Sequence, residues 1–506
     1  MISLILLSFL WFIRETKSIL FWLYLWQLKE YHIGRFLDHF RTEKGKKLLL
    51  NSLIFLKIFL FFGFLLAVNP SFLSFLLCIF LLILYFLESI KTFRNFLLKK
   101  LKKPVLTLKT IFLISIALLV ELSFIFVIFK TIFFLENFYQ FAFFAFWLLL
   151  FDLLTPVIIS IIVLSFQPFT VLLRNRIIRK AKKKRESFQN LLVVGITGSY
   201  GKTSTKEFLA TILAERFKVL KTKEHQNSEI GISQCILDDL KPEHEIFLVE
   251  MGAYNRGGIK LLCDITKPKI GILTGINEQH MATFGSQENI IKTKFELIEG
   301  LPKDGIAFFN AKNKYCLELY QKTKIKKKLY GQEAAFPGEE NISGAMAVAQ
   351  ELGMSKEEIL RASEKIKNKI PGIQIKKVIN GLNIVDATYS ANPDSVIAHL
   401  EYLKRFPGKK VIIMPCLIEL GSSSKEVHRR IGQKIGEVCD LAIITTRDRF
   451  KEIKEGAIEK RQKEENILFI ENPKEIFEKI KTFSQSDDVI LLEGRLSNEI
   501  KNLLWK

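Results

Sequence analysis

Residues 195–204 read GITGSYGKTS. Gly198 and Gly201 lack the Cβ that would stop consecutive backbone N–H groups from turning to one side, and Lys202, Thr203 and Ser204 follow directly. N–H groups arranged this way, with the first turn of a helix behind them, cradle phosphate oxygens. Lys202 would then reach the outer phosphates and Thr203 would hold Mg²⁺, with Ser199 and Tyr200 completing the loop. The spacing departs from G-x-x-x-x-G-K-[ST], because the position five before Gly201 is Ile196; the pattern here is the shorter T-G-x-x-G-K-T-S. A glycine-rich turn that binds nothing would explain the glycines alone. It does not explain the apolar run at 191–194, the helical KEFLATILAERF and the G-K-T triplet together, so ATP and Mg²⁺ are the expected cofactors.

A loop of this kind needs a strand before it and a helix behind it. From residue 191 short apolar runs alternate with helical stretches: LLVVGIT, EIFLVEM, KIGILTGI and GIAFFN read as strands, with a helix at 286–300. A second set, NIVDATY, KKVIIMP, LAIITT and DDVILLEG, is separated by helical patterns at 394–405, 424–437 and 473–483. This is the rhythm of open α/β sheets.

The first third is different. Leu, Ile and Phe dominate up to about residue 169, with apolar runs at 2–26, 48–68, 71–87, 111–134 and 141–166 long enough to cross about 30 Å of hydrocarbon. Arg14, Glu15 and Lys17 interrupt the first, which reads either as a span or as a short span followed by an interfacial helix, WLYLWQLKEY. No basic start and no small-residue cleavage site mark it as a signal peptide. The connections 28–47 and 91–109 are rich in Lys and Arg, which places them in the cytoplasm, while Asn69-Pro70 and Glu136-Asn137 carry no basic residue and fit the outer face. An odd number of spans delivers RNRIIRKAKKKRE at 174–186 to the cytoplasm, giving a multi-pass plasma-membrane protein with cytoplasmic α/β domains.

The net charge of +22 is placed largely beside these spans, which favours a lipid bilayer over nucleic acid as the partner. Six scattered cysteines without a C-x-x-C pair give no zinc or disulfide framework and suit a reducing compartment. Lys57, Glu121, Lys130 and Asp152 fall inside apolar runs. The two lysines read as snorkelling or paired; Asp152 reads as facing a polar cavity, with no role assigned.

The segments after the loop are KTKEHQNSEIGI, LVEMGAYNRGGI, TGINEQHMATFGSQENIIKTKFELI, ENISGAMAVAQELG, VDATYSANPDSV and IELGSSSKEVHRRIG. In order and spacing, over about residues 191–495, they resemble the Mur ligase family. The last two resemble most the MurF type, which joins D-alanyl-D-alanine to UDP-MurNAc-tripeptide. The apolar runs give an α-helical transmembrane region at 1–186, with about five spans; the resemblance implies that two α/β domains follow it, a P-loop Mur ligase central domain at 187–370 and a Rossmann-like C-terminal Mur ligase domain at 371–506.

It also implies a reaction, in which the γ-phosphate of ATP moves onto a carboxylate and the acyl phosphate is attacked by an amine. Charge neutralisation matters more there than covalent help. By the resemblance Lys202 and Thr203 match the phosphate and Mg²⁺ residues, and Glu250 and His280 match metal-binding residues. Lys294 matches a lysine that CO₂ carbamylates, whereas Lys292 stays an ordinary charge. On residue type alone Lys294 is a solvated helix lysine, Glu250 a strand-end carboxylate and His280 a loop histidine. Asn227 lies in a stretch resembling the substrate loop, and Asn341 in the adenine-side motif. Asp386, Tyr389 and Asn392 match a segment at the domain cleft near nucleotide and amine, although an Asx-Pro turn capping a helix explains ANPDS equally. Glu419 and His428 match further family positions; a helix N-terminus and a solvated helical face explain them as well.

Several positions depart from the family. Ala387 replaces a second aspartate, Pro371-Gly372-Ile373-Gln374 lacks the usual arginine, Gly344 stands where a second asparagine is common, and Glu493 and Arg495 stand where a lysine and then serine-arginine are usual. The soluble domain that binds the UDP end of the precursor is replaced by the spans. The incoming amine, an amino acid or dipeptide, need not be D-alanyl-D-alanine, and the acceptor is expected to be a lipid-linked, or else a UDP-linked, peptide or glycan. The leading expectation is a membrane-bound ligase of the cell envelope. A poly-γ-glutamate-type synthetase is the alternative, as is a membrane ATPase or transporter that has lost ligation.

Overall fold

The Leu- and Phe-rich first third folds as helices: α1 (Ile2–Leu28), α2 (Ile33–His39), α3 (Glu43–Leu49), α4 (Ser52–Leu66), α5 (Phe72–Leu97), α6 (Leu108–Ile132) and α7 (Asn137–Ser165), followed by α8 (Gln167–Glu186). The structure is a computed structural model that describes residues 2–66, 72–132, 137–223, 226–334, 338–367, 374–377, 382–389, 391–460 and 462–504. The chain forms two compact units, Met1–Leu172 and Leu173–Lys506.

Among the described residues of the first unit four helical stretches are long and apolar enough to cross a membrane: Glu43–Leu66, Phe72–Leu97, Leu108–Ile132 and part of Gln140–Glu186. The fifth expected span, α1, carries Arg14, Glu15 and Lys17 and is one unbroken helix of 27 residues. It does not divide into a short span and an interfacial helix, because Arg14 and Glu15 turn inward onto Asp152 and Thr155 instead of seeking water. Apolar side chains such as Phe59, Phe62, Leu119 and Phe126 remain exposed on the outer faces. The expected outer turn at Asn69-Pro70 lies outside the described residues, as does Glu136. Lys57 does not snorkel; it is buried and paired with Glu88 and Asp152.

The second unit holds two six-stranded sheets. The first contains β1 (Leu192–Thr197), β2 (Val219–Lys221), β3 (Ile246–Glu250), β4 (Ile270–Leu273), β5 (Ile306–Asn310) and β6 (Lys326–Tyr330) in the order β2-β3-β1-β4-β5-β6, all parallel. Its helices are α9 (Lys202–Leu213), α10 (Glu229–Gln234), α11 (Gly258–Thr266), α12 (Met281–Phe284), α13 (Gln287–Glu299), α14 (Lys314–Lys322), α15 (Glu339–Glu351) and α16 (Lys356–Lys367). Two apolar layers, one around Phe247, Leu273 and Leu297 and the other around Ile196, Leu209 and Phe308, cover its two faces. That double burial explains why β1, β3, β4 and β5 are near-continuous apolar runs. The edge strand β6 is instead lysine-rich: Lys328 pairs with Glu351 at 2.7 Å, and Lys327 Nζ donates to the carbonyls of Tyr320 and Thr323 at 2.8 Å.

The second sheet has the order β11-β10-β9-β12-β8-β7, from β7 (Gln374–Lys377), β8 (Asn383–Ala387), β9 (Lys410–Met414), β10 (Leu441–Ile444), β11 (Ile467–Phe469) and β12 (Val489–Glu493). Among its described strands only β7, paired with β8, is antiparallel. Its helices are α17 (Pro393–Leu403), α18 (Ser424–Val438), α19 (Phe450–Glu459), α20 (Pro473–Phe483) and α21 (Asn498–Leu504).

Candidate functional site

The centre of the first sheet is where chain connections leave to both sides: β1 lies between β3 and β4, and the crevice beyond such strand ends is where open α/β sheets bind ligands. Gly198 has φ +155° and Gly201 φ +78°, so the loop between β1 and α9 uses conformations that other residues adopt only under strain. Both are also sterically closed, since a Cβ at Gly201 would run into the Asn341 side chain and one at Gly198 into Thr274 and Gly275. Neighbouring elements fix the loop: Ser199 N donates to Gly275 O at 2.6 Å, Thr274 Oγ1 donates to the Tyr200 carbonyl, and Asn313 Nδ2 donates to Tyr200 Oη at 3.3 Å.

Lys202 Nζ folds back onto the loop and donates to the carbonyls of Gly198 at 2.7 Å and Ser199 at 3.3 Å. Burial lowers its pKa, opposed by Glu250. The first turn of α9 places Thr203 beside the end of β3, where its Oγ1 donates to Glu250 Oε2 at 3.0 Å. Asn227 Nδ2 donates to the other oxygen, Oε1, at 3.2 Å. Lys206, completely buried on the same helix, holds Nζ 3.3 Å from Glu250 Oε2, at ion-pair distance but outside hydrogen-bond geometry. Burial works against the Glu250 carboxylate, yet Lys202 and Lys206, with the bonds from Asn227 and Thr203, outweigh it and hold Glu250 below the usual carboxylate range.

His280 has φ +66° and presents Nδ1 to Glu419 Oε2 at 2.7 Å, across from the second sheet. Burial lowers its pKa despite Glu419, helped by Lys294 and Lys202, which favours neutral imidazole. With the Nδ1–H of the neutral ring donating to Glu419, the Nε2 lone pair is left for a metal. Lys294 lies on the inner face of α13, only 3% exposed, with Nζ over the Phe284 ring and no ion pair or hydrogen bond among the described residues. Burial and then the nearby Lys202 push its pKa down to about 7. The solvated-lysine reading of this residue is therefore overturned. It fits Lys292 instead, which is exposed and pairs with Glu288 at 2.6 Å.

Asn341, on α15, accepts from Thr205 Oγ1 at 3.1 Å and closes the loop beside Gly201. At Gly344 a Cβ would sit 2.8 Å from the Tyr330 ring, which leaves no room for a larger side chain without a shift of that ring. Ser204 is partly exposed on α9.

The second sheet contributes through α17. Asn392 caps that helix by accepting from Ser395 N at 3.1 Å, and its Oδ1 also receives Asn277 Nδ2 at 2.7 Å. Capping and contact with the loop side thus occur together. Arg430 adds an ion pair to Glu278 at 3.1 Å. Asp386 is occupied locally, accepting from Thr388 N at 3.0 Å and Oγ1 at 2.6 Å, and is not among the residues gathered at the loop. Tyr389, on the same turn, is 54% exposed. His428 is not on a solvated face; it is fully buried, with Leu417 N donating to Nε2 at 2.9 Å and Nδ1 bonded to Ser424 O at 2.6 Å. Glu493 is also buried and bonds His399 Nδ1 at 2.6 Å. The position of the missing arginine, 371–373, lies outside the described residues.

Sequence reading missed Lys206, Asn277 and the Arg430–Glu278 pair. Lys206 had a signal, because it follows Lys202 by four and so shares its helix face. The other two depend on how the sheets meet, which no local pattern encodes.

Among the described residues no group of three or more His, Cys, Asp or Glu is placed to hold a metal. The set that is present, one hydroxyl, one carboxylate and one imidazole beside a phosphate loop, fits Mg²⁺ completed by phosphate oxygens and water.

Comparison with known proteins agrees with this layout. Residues 196–381 match the Mur ligase middle domain, and residues 373–496 match the Mur ligase glutamate ligase domain. The UDP-N-acetylmuramoyl-tripeptide–D-alanyl-D-alanine ligase of Synechocystis is 31% identical over 271 residues, 48% of this chain and 59% of that protein. The Bacillus subtilis enzyme of the same name is 26% identical over 348 residues, 62% of this chain and 76% of that protein. The crystal structure of the MurF ligase of Thermotoga maritima in complex with ADP superposes with a TM-score of 0.55 at 27% identity, covering 65% of this chain and 83% of that one. The chain thus spans about three fifths of the length of the Synechocystis relative.

Proposed function

Through residues 196–496 the chain belongs to the Mur ligase family, and we propose that it is a membrane-bound, MurF-like, ATP-dependent amide ligase of cell-wall or cell-envelope synthesis. The observation that carries the reading is the grouping of Lys202, Thr203 and Glu250 at one end of a parallel sheet, with Thr203 and Glu250 3.0 Å apart. In this reading an acceptor carboxylate takes the γ-phosphoryl group and releases ADP. An amine then attacks the acyl carbon, loses its proton and expels phosphate. Lys202 and the loop N–H groups hold the phosphate oxygens. Thr203, Glu250 and His280 would hold Mg²⁺, whose contribution is to neutralise charge on the transferring group. Lys294 suits carbamylation, because only the unprotonated amine adds to CO₂, releasing a proton and leaving an anionic carbamate, and its burial keeps a large share unprotonated near neutral pH. Asn341 borders the nucleotide, Asn227 and Asn392 border the acceptor and amine, and Asp386 and Tyr389 are assigned there by resemblance alone.

The functional division we propose is 1–186 for membrane attachment, 187–370 for ATP and 371–506 for the amine side. Four helical stretches of spanning length and exposed apolar faces support a bilayer partner, with the basic connections and the α/β domains on the cytoplasmic side. An acceptor carried on a lipid follows from that attachment. Reconstituted protein should release ADP and phosphate only when acceptor and amine are both present, and should turn over a lipid-linked peptide or glycan faster than its UDP-linked counterpart. Equal or better use of the soluble acceptor would refute the lipid-linked part; full-rate hydrolysis without amine would replace the ligase by an ATPase. A product ladder of repeating mass would instead indicate a polyamino-acid synthetase.

A further inference from the structure

Four helices of the first unit, α1, α4, α5 and α7, bring charged side chains to one place in its interior. Arg14 of α1 contacts Glu15 and Asp152, and its Nε lies 3.7 Å from Glu88. Lys57 of α4 places Nζ 2.6 Å from Glu88 of α5 and 2.9 Å from Asp152 of α7. Tyr85 Oη lies 3.3 Å from Asp152, and Thr155 donates to Glu15. At the rim, Lys17 acts electrostatically on Glu88. The carboxylates Glu15, Glu88 and Asp152 therefore share Arg14, Lys57 and Lys17.

Glu121 has no share. It is completely buried on α6, and among the described residues neither of its carboxylate oxygens has a hydrogen-bond partner. The charged groups that act on it are Glu15 and Arg14, and Arg14 is already occupied by Glu15 and Asp152. Lys130, two and a half turns along the same helix, lies over the Phe126 ring, roughly 13 Å away by helical rise, and does not reach back. Glu121 also sits mid-helix, about 20 Å by helical rise from the start of α6 at Leu108, far from either end. A carboxylate with no hydrogen-bond partner among the described residues in such a place carries a large desolvation penalty, and the like charge of Glu15 acts on it more strongly than the opposite charge of Arg14.

We propose that the helical unit binds a monovalent positive charge, a proton or a small alkali cation, on the Glu121 carboxylate beside Glu15. An anionic ligand is disfavoured, because both buried cations of the cluster are already paired. The inference concerns the first unit alone and stands whether or not the α/β domains ligate.

The test is carbodiimide labelling of the full-length protein in mild detergent, read by peptide mass spectrometry. N,N′-dicyclohexylcarbodiimide adds across the O–H of a carboxylic acid in apolar surroundings and leaves a carboxylate untouched. Labelling at Glu121 that falls as pH is raised, indifferent to salt, identifies a proton. Labelling at Glu121 suppressed by Na⁺ or K⁺, and restored when they are removed, identifies the cation. Either result supports the site. Glu121→Gln should lose the label with an unchanged melting temperature; the wild-type peptide map decides on its own if that variant does not fold. A map with Glu121 unlabelled at every pH and in every salt, or with the label on Glu15, Glu88 or Asp152 instead, overturns the proposal.

Discussion

Asn277 Nδ2 donates to Asn392 Oδ1 at 2.7 Å, and Asn277 N donates to Ser199 Oγ at 3.2 Å. One asparagine thus ties the phosphate loop of the first sheet to the capping residue that opens α17 of the second. Asn277→Ala should lower the rate of amide formation about tenfold, the worth of one or two lost hydrogen bonds, while leaving ATP affinity within about twofold. Steady-state kinetics with nucleotide and amine varied separately checks this; a rise confined to the KM for ATP would contradict it.

Lys202→Ala should abolish nucleotide turnover, by about a hundredfold or more, because it removes the side-chain charge placed on the loop itself. Phosphate release measures it. Retained turnover would overthrow the assignment of the loop.

Lys294→Ala should lose activity and regain part of it with added formate or acetate, which stand in for a carbamate. An unimpaired variant would leave Lys294 as a buried lysine without a role. Its pKa is lowered from 10.5 to about 7, so between about pH 7 and 10 the unfolded chain binds a proton that the folded chain does not. Stability in bicarbonate-free buffer should therefore rise with pH across that window. Lys294→Met, which cannot titrate, should flatten the rise in denaturant midpoints.

Glu419→Ala should raise the Mg²⁺ concentration for half-maximal activity by roughly 10- to 100-fold, because it frees the Nδ1 side of His280 and with it the ring's orientation. A Mg²⁺ titration of ADP formation reads this directly, and an unchanged midpoint would remove His280 from the metal site.

Lys206→Met should cost about 3 kcal/mol of stability, since it leaves the Glu250 carboxylate with one fewer buried cation. Urea melts of the wild type and variant test it; equal midpoints would show that the 3.3 Å pair contributes nothing.

Much of the α/β part is legible in the sequence for a simple reason. The inner strands β1, β3, β4 and β5 are buried on both faces and must be apolar throughout, and the same holds for β8, β9, β10 and β12. The strands that pattern reading passes over, β2, β6, β7 and β11, are the four edges of the two sheets. Edges are short or polar, and β6 reads KKKLY. The loop residues were legible because phosphate binding dictates glycine, lysine and threonine at fixed spacing. The burial of Lys294 and His428 was not, since a lysine or histidine in a helix looks the same in sequence whichever way the helix is turned. Lys57, Glu88, Asp152 and Arg14 come from four helices, and only packing shows that they meet.

The lysines of β6 have a consequence for how the chain avoids harm while folding. A parallel sheet with an open edge is a template onto which another copy's strand can add, and the danger grows in a chain that also exposes long runs of Leu and Phe. Lys326 and Lys328 share the single carboxylate of Glu351 and Lys327 donates to carbonyls, so the edge keeps a net positive charge and an added copy of it would bring like charges face to face. Solubility of the nascent protein is thus guarded at the strand whose sequence looks least like a strand.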